Sequence, residues 1–140
     1  GLNVIQQNID DGLGNFSDKS FDTVIMSQTI QVLKNPKQAL LEVTRIGNES
    51  IVTIPNFGFW TTRLKLLFLG KMPITGSLPK TWHETENIHL CTIKDFEILC
   101  KECGIDIKEK KFFSSSGKEN ILTNTLPNFF ATSAIYKISK

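Results

Sequence analysis

The apolar positions fall into several short, mostly apolar runs and three stretches at helical spacing. Leu2 to Gln6 predicts a short strand, and Asp10-Asp11-Gly12 closes it with turn chemistry. After the loop GLGNFSDKS, the run FDTVIMS from Phe21 to Ser27 predicts a parallel strand covered on both faces. Asn35-Pro36 opens a helix, with asparagine as cap and proline at the first helical position. Ala39, Leu40, Val43 and Ile46 recur on one face of it, and Gly47 stops it. Ile51 to Ile54 is the next buried strand. A helix of this length between two such strands implies a right-handed βαβ crossover.

The second half is organised differently. Phe59 to Leu69 predicts a helix with Leu64, Leu67 and Phe68 on one side, Arg63 and Lys65 towards water, and Gly70 as its end. Residues 70–91 carry prolines, a glycine and the tract TWHETENIH, and are expected to form a lid anchored by Ile74, Leu78 and Trp82. Thr92 caps the next helix with Asp95 three residues on; its inner face is Ile93, Phe96, Leu99, Cys100 and Cys103, and Gly104 ends it. Ile105 to Phe113 and Asn128 to Ser139 predict an antiparallel pair flanking the polar stretch SSSGKENILTNTLP. The order places residues 1–140 in one partial domain, the later part of a doubly wound α/β fold.

The composition narrows the function classes. Sixteen basic and fourteen acidic residues are interspersed, so no nucleic-acid footprint stands out. The longest apolar run, Leu64 to Leu69, is broken by Lys65 and is too short to span a bilayer. Three cysteines are too few for a disulfide framework, and no signal-peptide pattern opens the chain, so the cytoplasm is the expected compartment.

Ligands of open α/β sheets sit outside the carboxyl ends of the strands. Three such ends are readable: Gln7-Asn8-Ile9-Asp10, Ser27-Gln28, and Pro55-Asn56-Phe57-Gly58-Phe59-Trp60. Together they offer the polar groups and aromatic faces that a small-molecule pocket needs. Each end taken alone also reads as ordinary turn chemistry. Phe57 and Trp60 wall a pocket or partner surface, or close the core beneath the lid. Gly12-Leu13-Gly14 lacks the third glycine and following helix of a phosphate loop. Cys100-Lys101-Glu102-Cys103 has redox spacing but lies at a helix C-terminus, where the dipole opposes a thiolate. The His83/Glu84/Glu86/His89 cluster matches no zinc spacing, so no metal site is expected. His89 stands just before a helix cap on the lid, as a donor or base towards a ligand or as a loop hydrogen bond.

The phrases FDTVIMSQTIQVLKNP, RIGNESIVTIPNFGFWTTRLKLLFLGKMP and NIHLCTIKDFEILCKECGI resemble the MetW family, end to end. The resemblance implies a Rossmann-like class I S-adenosylmethionine-dependent methyltransferase sheet, with parallel strands followed by a C-terminal antiparallel pair. It implies a role in methionine biosynthesis as accessory partner of homoserine O-acetyltransferase. The alternative it carries is a methyltransferase of an unknown small molecule. On the family's layout Asn8 stands where an acid usually meets the adenine amino group, with Asp10 nearby. Ser27 and Gln28 fall on the cofactor side. Pro55, Asn56, Phe57 and Trp60 match a substrate or partner signature. His89 matches the NIH-x-CT segment and is the one catalytic candidate, as a base.

The glycine-rich βαβ unit that holds the cofactor in the family is missing: no D-x-G-x-G phrase occurs in these 140 residues. The expectation is an N-terminally truncated sheet whose remainder comes from a longer chain, another copy or a partner. S-adenosylmethionine is then expected to bind weakly, if at all, and this chain alone is expected to be inactive.

Overall fold

The computed structural model describes residues 1, 4–76, 78–86 and 89–140. Four strands make one sheet: β1 (Phe21–Ser27), β2 (Gly47–Pro55), β3 (Asp106–Phe113) and β4 (Ser133–Ser139). The spatial order is β1-β2-β4-β3. β1 and β2 run parallel, with Met26 beside Val52. β4 lies antiparallel to both β2 and β3, with Val52 beside Tyr136 and Phe112 beside Ala134. The predicted α/β sheet of parallel strands followed by an antiparallel pair is therefore present.

α1 (Pro36–Ile46) joins β1 to β2, and Gly47 follows the helix directly as the first strand residue. A Cβ at Gly47 would come within 2.8 Å of Val24 Cγ2 and 2.9 Å of Glu49 O, so only glycine allows so abrupt a change. Asn35 precedes Pro36 but makes no side-chain cap. Asp10, 25 residues upstream, instead holds the backbone just ahead of the helix: its carboxylate accepts from Asn35 N at 3.1 Å and Lys34 N at 3.0 Å. An anionic acceptor at this helix end matches the helix dipole and is worth about 1 kcal/mol.

The sheet is covered on one face. Met26, Val52, Ile54, Phe112, Ala134, Tyr136 and Ile138 form a single core with Leu40 and Val43 of α1 and with Ile93, Phe96 and Cys100 of α3 (Ile93–Glu102). The intervening residues point the other way, as the pleat requires, and Ile25 is 69% exposed. The expectation of two-sided cover for β1 is thus corrected: a mostly apolar run hid an alternation in which only Met26 is fully buried. Thr92 and Asp95 form the predicted capping box of α3.

Three further expectations change. Val4, Ile5 and Gln6 are exposed irregular backbone, not a strand; Leu2 and Asn3 lie outside the described residues. The last strand starts at Ser133, because α4 (Ile121–Thr125) and α5 (Pro127–Phe130) occupy the stretch before it. Proline at the start of α5 and the Asn120–Thr123 capping box favour those turns. α2 (Trp60–Leu69) forms as expected, yet it buries only Thr62.

The loop before β1 is held by charge. Arg45 bonds Glu42 at 2.9 Å, Asp18 at 2.6 Å and the carbonyls of Phe16 and Leu13, while Glu42 accepts from Leu13 N at 3.1 Å. Lys19 Nζ donates to the carbonyls of Thr44, Gly47 and Lys140. The Arg45 hydrogen bonds, helped by Leu13 N–H, hold the Glu42 carboxyl below its ordinary 4.5. A lowered folded-state pKa means that the unfolded chain takes up the proton first, so stability falls as the pH drops towards and through the folded value. Glu42→Gln should flatten this acid limb in urea titrations across that pH range; an unchanged acid limb would contradict it.

Candidate functional site

A pocket of about 690 Å³ opens where the carboxyl ends of β1, β2 and β3 meet the start of β4. Gln28 and Pro55 come from the ends of the two parallel strands, Ser114 from the end of β3, and Thr132 and Ser133 from the start of β4. Phe59 and Thr62 close one wall. Thr75, Gly76, Pro79 and Glu86, from the segment predicted to be a lid, line another side. Of that segment's expected anchors, Leu78 is buried, whereas Ile74 and Trp82 are exposed. Of the three strand ends expected to share one rim, two contribute a residue to this pocket, Gln28 and Pro55, and the Gln7–Asp10 end contributes none.

The other predicted site residues are placed differently. Asn8 Oδ1 accepts from Asp10 N at 3.2 Å and so caps a single 3₁₀ turn, Ile9–Asp11. Asp10 is engaged at α1, as above. Ser27 is exposed, and its hydroxyl accepts from Thr53 Oγ1 at 3.3 Å. Phe57 is half-buried, its N–H donating to Cys91 O at 3.0 Å. Trp60 is partly exposed and tilted against Phe59, ring centres 6.0 Å apart. His89 is exposed, donates its backbone N–H to Gln31 O at 2.9 Å and lines a separate pocket of about 140 Å³ with Cys91 and Asp95. It does not line the larger pocket.

Asn56 is the sharpest departure. Its side chain is 1% exposed and points inwards. Nδ2 donates to Ala131 O at 2.7 Å and Asn128 O at 3.2 Å, with Pro127 O at 3.4 Å. Oδ1 accepts from Gly58 N at 2.9 Å. A Cβ at Gly58 would sit 3.0 Å from Asn56 Oδ1 and 3.0 Å from Asn128 O, so the close approach needs glycine. Asn56 therefore faces α5, not a ligand, and fixes the wall that Thr132 and Ser133 contribute.

Gln31 was not among the predicted site residues. It sits in the 3₁₀ turn Ile30–Val32, is 5% exposed and lines both pockets. Its Nε2 donates to Gln28 O at 2.7 Å, while its Oε1 is buried with no hydrogen-bond partner among the described residues. The only sequence signal is its place three residues after Gln28, within reach of that residue's carbonyl. The cysteines do not suit nucleophilic chemistry. Burial, with Cys103 beside it, pushes the Cys100 thiol up to about 12, and burial with nearby Asp95 raises Cys91. Among the described residues no group of three His, Cys, Asp or Glu is placed to hold a metal ion. No helix among them is long and apolar enough to cross a membrane.

Comparison with known proteins decides the family. The model for "Methionine biosynthesis protein MetW" matches residues 1–138. The chain belongs to the MetW family. A bifunctional methionine biosynthesis protein, MetXA/MetW, of Rhodopirellula baltica is 31% identical over 136 residues. That match takes in 96% of this chain but only 22% of the relative's length. Among solved structures, a SAM-dependent methyltransferase from Archaeoglobus fulgidus superposes with a TM-score of 0.63 at 12% identity, over 99% of this chain and 67% of that one. A SAM-dependent methyltransferase from Methanosarcina mazei gives 0.59 at 21% identity, over 96% and 65%. At these identities the likeness establishes the methyltransferase fold.

Removing the Asn56 amide strands Ala131 O and Gly58 N, each buried polar group costing about 1–3 kcal/mol when left without a partner. Asn56→Ala should lower unfolding stability by about 2–3 kcal/mol in urea with an unchanged slope. A loss below about 0.5 kcal/mol, the range of ordinary surface substitutions, would show that the amide is not a structural hub.

Proposed function

We propose that this chain acts in methionine biosynthesis as a methyltransferase-fold partner of homoserine O-acetyltransferase. The observation that carries this reading is the R. baltica relative, in which a MetW-like region shares one polypeptide with a MetXA part. In our reading MetXA is the acetyltransferase. Fusion holds two domains at high effective concentration, an arrangement that suits domains working in contact.

The surface suited to that contact is α2. Leu67 and Phe68 are 74% and 76% exposed, and Leu66, Leu69 and Met72 extend the apolar patch. A helix that buries one threonine and presents this much apolar surface is built to meet another protein. Arg63, Lys65 and Lys71 stand along it and Trp60–Leu69 contains no acid, so an apolar partner surface with an acidic rim fits best. Residues 70–91 act as the lid of the strand-tip pocket, and the patch on α2 runs into its start.

The residues present do not make a full S-adenosylmethionine cradle. Asn8 Oδ1 and the Asp10 carboxylate, the groups expected near adenine, are bonded to backbone N–H groups. The sequence also lacks the glycine-rich turn. Accordingly this chain alone holds the cofactor weakly at most, and no chemical step is routed through it. A second reading, methyl transfer to a small molecule, draws on the strand-tip pocket and on the fold. In it Ser27 and Gln28 would border the cofactor side, and Pro55, Phe57 and Trp60 the acceptor side. His89 faces the smaller pocket, which weakens it as a base for this reading.

Co-purification tests the first reading. Tagged chain should retain untagged homoserine O-acetyltransferase and change its acetylation rate. Phe68→Asp should weaken retention about thirtyfold or more, the scale of an interface hot spot, with an unchanged circular dichroism spectrum. No association of the wild-type chain, or self-association alone, would remove the reading.

A further inference from the structure

The segment that follows α2 builds a second, smaller groove beside that helix. About 260 Å³ in volume, it is lined by Met72, Pro73, Leu78, Trp82 and Leu90, with Lys80 and Thr85 as its polar members. Pockets for free small molecules run from about 300 to 1,000 Å³ and carry convergent polar groups, so this one suits a single large apolar side chain better. Its walls are fixed. Thr75 and Leu78 exchange backbone hydrogen bonds at 2.9 and 3.0 Å, and Thr81 O accepts from Glu84 N and Thr85 N, both at 3.1 Å. Lys80 and Glu86 close the second turn with an ion pair at 2.9 Å, and Lys65 Nζ ties α2 to Ile74 O at 3.3 Å.

Part of the lining is packed into the fold and part is open to solvent. Pro73 and Leu78 are buried, whereas Met72, Trp82 and Leu90 are exposed. Trp82 is 75% exposed, and its ring meets that of His83 edge-on, with centres 5.4 Å apart. A tryptophan held out on a fixed turn, beside an apolar groove, is the residue type and setting in which binding energy concentrates at protein interfaces. Met72 belongs both to this groove and to the apolar patch of α2, so the two form one continuous surface.

The charge of this surface has one sign. Residues 50–83 contain Arg63, Lys65, Lys71 and Lys80 and no Asp or Glu. Arg63 and Lys65 donate to backbone carbonyls, which leaves their charge uncompensated. A partner surface of opposite sign is steered on and held in register by such a field. Resting on the acetyltransferase reading, we propose that this groove is the anchor point of that interface. It receives one large apolar side chain of the acetyltransferase, carried on an acid-bearing segment that lies against Lys71 and the α2 cations. Contact with Trp82 and burial against Met72, Leu78 and Leu90 supply the affinity, and the cations set the register.

The test is calorimetric titration of the full chain with homoserine O-acetyltransferase. Trp82→Ala should weaken binding about tenfold or more with an unchanged circular dichroism spectrum. Lys71→Glu should weaken it too and make it less sensitive to salt. In the wild-type chain labelled with 5-fluorotryptophan, the ¹⁹F signal of Trp82 should move when the acetyltransferase is added. Wild-type affinity in either variant, or an unmoved Trp82 signal in a complex that Phe68→Asp disrupts, would overturn the groove's role and leave the acetyltransferase reading intact. Absence of any binding by the wild-type chain would remove both. A Trp82 signal that moves with the chain's own concentration, or with phosphatidylglycerol vesicles and not with the acetyltransferase, would assign the groove to a second copy or to an anionic membrane, and would overturn the proposal as well.

Discussion

A single buried amide joins the part of the chain that makes the sheet to the part that closes its rim. Asn56 stands one residue past β2, where a parallel strand has run out of ladder partners, and it bonds three carbonyls of residues 127–131 and one N–H of its own loop. Only an amide can do both. A carboxylate would set charge against carbonyl oxygens, and an aliphatic side chain would leave every one of those groups open. The neighbouring positions follow from it. Its own N–H donates to Thr132 O at 2.8 Å, Gly58 gives the close approach, and the Arg63 side chain bonds Gly58 O and Asn128 O from outside. The Pro55–Asn56–Phe57–Gly58 phrase thus encodes a joint.

The rim built on that joint combines rigidity with exposure. Gln28 holds a costly backbone angle at the tip of β1, where Thr53 of β2 fixes it. On the far wall Thr132 donates its N–H to Phe113 O at 2.8 Å, locking the start of β4 to the end of β3. Next to this stiff rim, α2 has little hold on the core. Its apolar side chains are turned to solvent in the isolated chain, and the face of the sheet opposite α1 and α3 is also open at Ile25. The fold thus has one well-packed face and two apolar surfaces open in this chain, along α2 and at Ile25.

Much of this was legible in the chain. β1 was bounded to the residue, and α1 and α3 followed from apolar spacing; Thr92 with Asp95 was a local capping signal that needed no tertiary information. What escaped was set at a distance. The partner of the α1 N-terminus is Asp10, which no local rule could choose over Asn35. Asn56 was read as facing outwards because polar residues at strand ends usually do, and its true acceptors lie more than 70 residues on. The helical turns before β4 lay in a stretch whose polar residues suggested a loop and whose Asn-Phe-Phe suggested strand. α2 has the spacing of a packed helix, but periodicity cannot say whether a partner surface exists within the same chain. Of the cofactor-side residues, Gln28 does border the pocket, and Gln31, which no local signal marked, borders it too.

Native-state hydrogen exchange of the Gly58 amide tests the joint most directly. Its N–H lies outside any strand or helix ladder and is held by Asn56 Oδ1 alone, so a loop amide of this kind would ordinarily exchange quickly. The account predicts that it exchanges as slowly as the amides of Val52 and Ile54 in the core of β2, opening only with the whole fold. Exchange at the rate of an exposed loop, with Val52 and Ile54 still protected, would contradict it.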